Sequence, residues 1–489
     1  MRRSIATLLV LAGLALLPGA CRPKPQGAVR VTVIGDSPKV RDPAVMPLSA
    51  PDAVLIASVG QGLVRFDASG NIVSGLAERW NVSDDGLSYI FRIASTEWPD
   101  GRKITAPQVA RILKRSVGSS SANTLKDTLG AVDDIVAMTD RVIEIRLTAP
   151  RPNLLNILAQ PEFSVVRNGD GQGPFIADPV QGSPGVLRLT RRIASPDEES
   201  SGNEQVLLNA AGVQQAVRSF AAGDTDLVLG GTFADLPYAQ RMELPRSSLR
   251  FDPASGLFGL MPTHSAGIFD DPEVRNLLSQ SIDRDLLVEA LRVPGLAARA
   301  TLLESGLDSI PDPVPPVWAT TPLADRRAAI AATAARLFGT NMPTIRVLLP
   351  EGPGGDLVFN RLSLDWGAIG LTVERADNAA SADLKLVDAV APSTSPAWFL
   401  RQFRCDVAPV CDAEADKLLE AARDTAIPQQ RYALLARAAA LLDGEAIFIP
   451  IAAPVRWSLV SARIQGFAGN RYARHTLTDL EQKPSAGGP

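Results

Sequence analysis

Histidine and cysteine are scarce in this chain: two histidines and three cysteines stand among 489 residues. His264 and His475 lie far apart, and neither has a second histidine at metal-ligand spacing. No metal site is therefore expected, and both read as surface or structural residues. Aromatic residues make up 5% of the composition, which argues against a cleft stacked with rings like a sugar receptor's. Charge of one sign is also missing: 49 Lys and Arg against 53 Asp and Glu leave a net charge of −4. Both signs are spread along the chain, so nothing points to nucleic acid. The GxSxG, Walker, GxGxxG and HExxH patterns are all absent. An enzyme is thus not expected, and neither catalytic residues nor a cofactor are nominated. Beyond the N-terminus, no run is long and apolar enough to cross a bilayer.

The N-terminus supplies the compartment. Met1-Arg2-Arg3 is followed by an apolar run from Ile5 to Leu17 and then by Pro18-Gly-Ala-Cys21. A basic start, a short apolar stretch and small residues before a cut site describe a signal peptide, residues 1–21. Gly-Ala-Cys21 is similar to the end of a bacterial lipobox, with Pro18 where leucine is usual, so Cys21 is the candidate lipidation site. Each buried methylene of an acyl chain contributes about 0.8 kcal/mol to anchoring. Residues 22–27, with Pro23 and Pro25, then read as a tether between membrane and folded protein.

Cys405 and Cys411 are the other two cysteines. In an oxidising compartment such a pair is expected to form a disulfide, and the loop it closes is short enough to limit the gain to about 2 kcal/mol. A redox motif would need two intervening residues, and this pair has five.

Hydrophobic periodicity places strands at Val29–Ile34, Leu87–Ile93 and Val142–Leu147. Between the second and third, Thr105-Ala-Pro-Gln108 is a capping box that opens a helix carrying Val109, Ile112, Leu113 and Val117 inward. Asp271-Pro272 opens another helix. Strands at 345–349, 371–374 and 384–387 alternate with a helix at 356–369, which indicates an α/β lobe with a partly parallel sheet. Helices are expected at 413–424 and 428–442. An apolar run follows at 446–451, then a last strand near 457–460. Gly and Pro cluster at 168–185 and 303–318, which read as loops.

An ordered set of motifs then carries a family resemblance. Gly62-Leu-Val-Arg-Phe-Asp67, Gly75-Leu-Ala-Glu-Arg-Trp80, Ser83-Asp-Asp-Gly-Leu87 and Trp98-Pro-Asp-Gly101 are followed by the capping-box helix. Gly173-Pro-Phe175, Ala222-Gly-Asp-Thr-Asp226, Phe269-Asp-Asp-Pro-Glu-Val-Arg275, Ser281-Ile-Asp-Arg284 and Ile464-Gln-Gly-Phe467 come after it. Together they resemble the bacterial extracellular solute-binding proteins of family 5, the oligopeptide, dipeptide and nickel receptors of ABC importers. Most of these motifs are turns and core positions, so they speak for the fold more than for the ligand.

The resemblance implies an α/β, two-lobed periplasmic-binding-protein-like (type II) fold with an additional α/β subdomain on the first lobe. The first lobe would comprise 28–55, 166–255 and 457–480, the inserted subdomain 56–165, the second lobe 256–456, and the tail 481–489. Hinge crossings would fall near Gly256 and Trp457. The implied function is capture of a peptide or peptide-like solute between closing lobes, largely through main-chain hydrogen bonds. A monomer would then hand the solute to ABC permease and ATPase subunits at the periplasmic face of the membrane. The alternatives are a non-peptide solute, such as a metal chelate or opine, and a lipid-anchored structural or chaperone-like role. Pro47, Leu48 and Ser49 would meet the ligand from the first lobe, and Ala391, Ser395 and Trp398 from the second; Trp398 could equally be core. Relatives carry an aspartate for the ligand's amino terminus before a Phe-Leu pair. Here, aligned on Pro396 and Phe399-Leu400, Ser395 falls at that position. A hydroxyl cannot neutralise a buried ammonium, so either another acid such as Asp388 replaces it or the ligand lacks a free amine there.

Overall fold

The computed structural model describes residues 27–193, 202–308, 310–478 and 480–482. The leader with Cys21, almost all of the tether and most of the tail lie outside the described residues.

Three sheets organise the chain. A seven-stranded sheet runs in the order Ile176–Pro179, Leu187–Ile193, Gly202–Ala211, Val29–Ile34, Leu227–Thr232, Arg456–Val460 and Leu249–Phe251. Val29–Ile34 pairs parallel with both of its neighbours, and the outer pairs are antiparallel. A five-stranded sheet runs Thr372–Arg375, Thr344–Leu348, Leu384–Val390, Gly256–Pro262 and Ile449–Ala452. Here Thr344–Leu348 is parallel to both neighbours and the rest are antiparallel. The mixed α/β character expected from the periodicity is thus realised in two separate sheets. A four-stranded antiparallel sheet, Ala77–Val82, Ser88–Ile93, Val142–Leu147 and Val132–Thr139, carries the helix Ala106–Val117.

The chain passes between the two larger sheets twice, from Phe251 to Gly256 and from Ala452 to Arg456. Gly256 has φ of 153°, and a Cβ there would lie 2.0 Å from the Ala389 carbonyl oxygen, so only glycine fits at this crossing. The strand it opens is buried at all seven positions. Its Leu257, Phe258, Leu260 and Met261 each contribute about 1.5–3 kcal/mol by leaving water. At the other crossing Trp457 is 1% exposed and donates from Nε1 to the Thr232 carbonyl at 2.8 Å. Gly231 admits its indole, since a Cβ there would sit 2.2 Å from the ring. One apolar cluster, including Phe233, Phe258, Trp366 and Trp457, continues across both sheets behind the crossings.

Local signals were realised where they were strong. The helix at Ala106 starts as the capping box requires: Gln108 Oε1 accepts from the Thr105 amide at 3.4 Å and from Trp98 Nε1 at 3.2 Å. Asp271 caps Pro272–Ser281 through the Glu273 amide at 2.8 Å. Two boundaries differ from expectation. The helix expected at 356 begins at Pro353, because Gly354 and Gly355 pack against main chain with no room for a Cβ. Residues 176–179, read as loop, form an edge strand of the large sheet, a place that accepts Pro179. His264 and His475 face Asp383 and Asp252 at 3.3 and 3.1 Å, and no group of metal-ligating side chains occurs among the described residues. Cys405 and Cys411 are joined by a disulfide. No helix among the described residues is long and apolar enough to cross a membrane.

Candidate functional site

A cavity of about 340 Å³ opens where all three units meet. Gly230 and Thr232 reach it from the seven-stranded sheet, Val390 and Ala391 from the end of the five-stranded sheet, and Gln160 from the segment after the inserted sheet. Arg456, at the second crossing, forms its back. The cavity shares Ala50, Gly230, Ala473 and Arg474 with a smaller one of about 100 Å³ beneath the helix Ala50–Val59, so the two are parts of one cleft.

Charge at the back of the cleft is balanced. Arg456 Nη1 lies 2.8 and 2.9 Å from the two Asp388 carboxylate oxygens, and Nη2 also donates to the Asp388 carbonyl at 3.2 Å. Burial pushes the Asp388 carboxyl above its ordinary range, with Arg456 opposing. Asp388, the acid that could have replaced the missing aspartate, is therefore engaged within the protein. The third wall is held by polar bridges: Gln160 Nε2 donates to the Pro392 carbonyl at 2.9 Å, and Arg474 donates to Gln160 Oε1 at 3.1 Å and Glu162 Oε1 at 2.5 Å. These bonds tie the inserted subdomain and the C-terminal segment to the end of the five-stranded sheet.

Segment 390–398 leads from this cavity into a second, of about 50 Å³. Ser393, Ser395 and Trp398 line it from one side, Arg151 and Asn153 from the other. Ser395 precedes the short helix Pro396–Arg401, but its hydroxyl makes no capping bond. Trp398 is 9% exposed and packs edge-to-face on Phe399 at 5.1 Å, so it is at once core and cavity wall. Ala391 is buried in the wall of the larger cavity. Pro47, Leu48 and Ser49 line neither cavity: Ser49 caps the helix Ala50–Val59 by accepting from the Asp52 amide at 3.3 Å. Ala50, next in the chain, lines the cleft instead. Gly230, Gln160, Arg456 and Arg474 were missed by sequence reasoning, since each becomes a wall only when distant segments meet.

Two sheets joined by paired crossings, with a cleft between them, define a two-lobed α/β fold. Residues 71–184 match the family model described as bacterial extracellular solute-binding proteins, family 5 Middle. A probable di/tripeptide-binding protein 5 of Pseudomonas aeruginosa (strain UCBPP-PA14) is 23% identical, over 86% of this chain and 89% of the relative. The same fold is found in the Escherichia coli murein tripeptide binding protein MppA, with TM-score 0.80 and 18% identity over 94% of this chain and 99% of that one. It recurs in Haemophilus influenzae OppA in complex with RPPGFSPFR, with TM-score 0.79 and 16% identity over 94% and 100%. Over residues 71–184, and in its fold, the chain is thus similar to the bacterial extracellular solute-binding proteins of family 5.

Proposed function

We propose that this protein is the substrate-binding receptor of an ABC-type importer, capturing a peptide or peptide-like solute in the cleft and delivering it to a membrane permease. The observation that carries the reading is the 340 Å³ cavity at the two crossings, walled by both sheets, where a solute would be enclosed by lobe closure. The likeness to a di/tripeptide-binding protein over most of both chains supports a peptide as the solute. On this reading the first lobe comprises residues 28–55, 166–255 and 457–480, the inserted subdomain 56–165 and the second lobe 256–456. Pro47, Leu48 and Ser49, which precede the cleft residue Ala50 in the chain, would meet the solute from the first lobe as the lobes close, and Ala391, Ser395 and Trp398 from the second. The chain would act at the periplasmic face, held by a lipid on Cys21.

The protein lacking residues 1–21 should carry or bind a small solute, released on denaturation and identified by native mass spectrometry. A thermal-shift screen of di-, tri- and oligopeptides should raise Tm by several degrees. A screen without stabilisation by any peptide would overturn the peptide reading. Cys21→Ala should move the full-length protein from the membrane fraction to the soluble periplasmic fraction.

A further inference from the structure

Three arginines converge on the small cavity beside Ser395: Arg151 from the segment after the inserted sheet, Arg401 at the end of the helix Pro396–Arg401, and Arg431 in the helix Pro428–Gly444. Their hydrogen bonds go to main-chain carbonyls. Arg151 donates to Pro150 at 2.8 Å and Arg423 at 2.7 Å, Arg431 to Pro150 at 3.3 Å, and Arg401 to Asp127 at 3.0 Å. Among the described residues none of the three makes an ion pair. The one acid on the cavity wall, Asp308, accepts from Asn153 at 2.6 Å. Three cations thus meet one carboxylate on the cavity wall, with Asp424 and Asp127 acting on Arg151 and Arg401 from outside it.

Burial, and then the fields of Arg431, Arg401 and Arg423, push Arg151 down to about 9; burial and the neighbouring Arg404, Arg431 and Arg423 push Arg401 down to about 10. Both remain charged at neutral pH. Arg431 is buried and Arg151 and Arg401 are half-buried; like charges held together with little water and few counter-charges are destabilising, so a protein retains such a cluster for something other than its own stability. Guanidinium forks match a carboxylate in two parallel hydrogen bonds. The cavity is small, about 50 Å³, and its guanidinium lining suits a planar carboxylate.

We propose that Arg151, Arg401 and Arg431 form a subsite for a carboxylate of the transported solute, beside Ser395. The preferred ligand is then a peptide-like molecule that brings an acidic group, not an ammonium, to this end of the cleft. The proposal rests on the reading of the cleft as a solute site. It gives the serine at the acidic position a chemical sense: an acid there would neutralise the arginines from within.

Calorimetry on the protein lacking residues 1–21 tests it with trialanine, its C-terminal amide and N-acetyltrialanine. The acid should bind at least about tenfold more tightly than the amide, and acetylation should change affinity by less than about twofold. Arg151→Gln should abolish the preference for acid over amide. Equal binding of acid and amide by the native protein overturns the proposal and leaves the peptide reading intact. If neither peptide binds, the wider peptide screen decides the peptide reading, and glutarate and phosphate become the probes of the subsite in thermal shift. Stabilisation by glutarate that Arg151→Gln removes keeps the subsite; no shift, or a shift with phosphate alone, overturns it. Should Arg151→Gln not fold, Ser395→Asp replaces it. That variant should weaken trialanine about tenfold without gaining affinity for its amide, whereas a gain for the amide refutes the proposed polarity.

Discussion

Two places along the same cleft hold largely shielded arginine, and they differ in what faces the charge. At the second crossing Arg456 meets Asp388 through two contacts under 3 Å, with both side chains less than a fifth exposed. Beside Ser395, Arg151, Arg401 and Arg431 find only carbonyls. The first arrangement is neutral within the protein and spans the passage between sheets, so its product is a fixed geometry. The second holds more positive than negative charge at its wall, so on the reading proposed above its product is affinity for an acidic solute. A buried arginine is thus not one kind of feature: the partner decides whether it serves the fold or the ligand.

The largest expected effect comes from breaking the balanced place. Arg456→Met leaves Asp388 buried without its counter-charge, and removing one member of a buried pair destabilises by about 3–5 kcal/mol. Denaturant unfolding at pH 7 should show that loss, and the double variant Arg456→Met/Asp388→Leu should recover most of it. A loss below about 1 kcal/mol in the single variant would mean that the pair does not hold the crossing.

How far this contrast can be read from sequence depends on the range of the signals. The capping box at Thr105 and the N-cap at Asp271 lie within four residues, and each helix begins where its motif says. The alternation in Val142–Leu147 puts Ile143, Ile145 and Leu147 in the core as expected. Helices such as Ala50–Val59 were not foreseen, since buried residues on nearly every side remove the amphipathic period. The cleft depends on longer range. Ser395 was legible as an anomaly because a family pattern surrounds it. Arg151, Arg401 and Arg431 are unremarkable singly and far apart in the chain, and only packing of the segment after the four-stranded sheet against the helices Pro396–Arg401 and Pro428–Gly444 assembles them.

A third buried pair sharpens the comparison. Near the first crossing, Arg299 donates to the Gly256 carbonyl at 2.7 Å and to Glu304 at 3.1 Å, with Asp443 behind it. Burial pushes the Asp443 carboxyl up to about 6, opposed by the Leu302 amide and by Arg299. A raised carboxyl favours the protonated folded state. Its stabilising contribution is present below the unfolded value near 4 and is lost as pH rises through about 6. The loss is at most about 3 kcal/mol for a shift of about two units. Asp443→Asn should remove that slope, and the difference between variant and native unfolding free energies from pH 4 to 7 isolates it from other carboxylates. Parallel profiles would mean that the Leu302 amide and Arg299 compensate Asp443 fully.

The smallest expected effect is the one with the opposite sign. Arg401→Met makes, in the unbalanced pocket, the substitution that damages the crossing. It removes one of several mutually repelling cations and gives up one hydrogen bond, to the carbonyl of Asp127. Replacing a poorly compensated, half-buried charge by an apolar side chain of similar reach is expected to be neutral or stabilising. Sites kept for binding rather than stability commonly gain about 1 kcal/mol when altered. The unliganded protein should therefore be about 1 kcal/mol more stable than native in denaturant unfolding, while losing affinity for trialanine. A loss of 2 kcal/mol or more, comparable in sense to Arg456→Met, would erase the contrast between the two places and make Arg401 a structural residue.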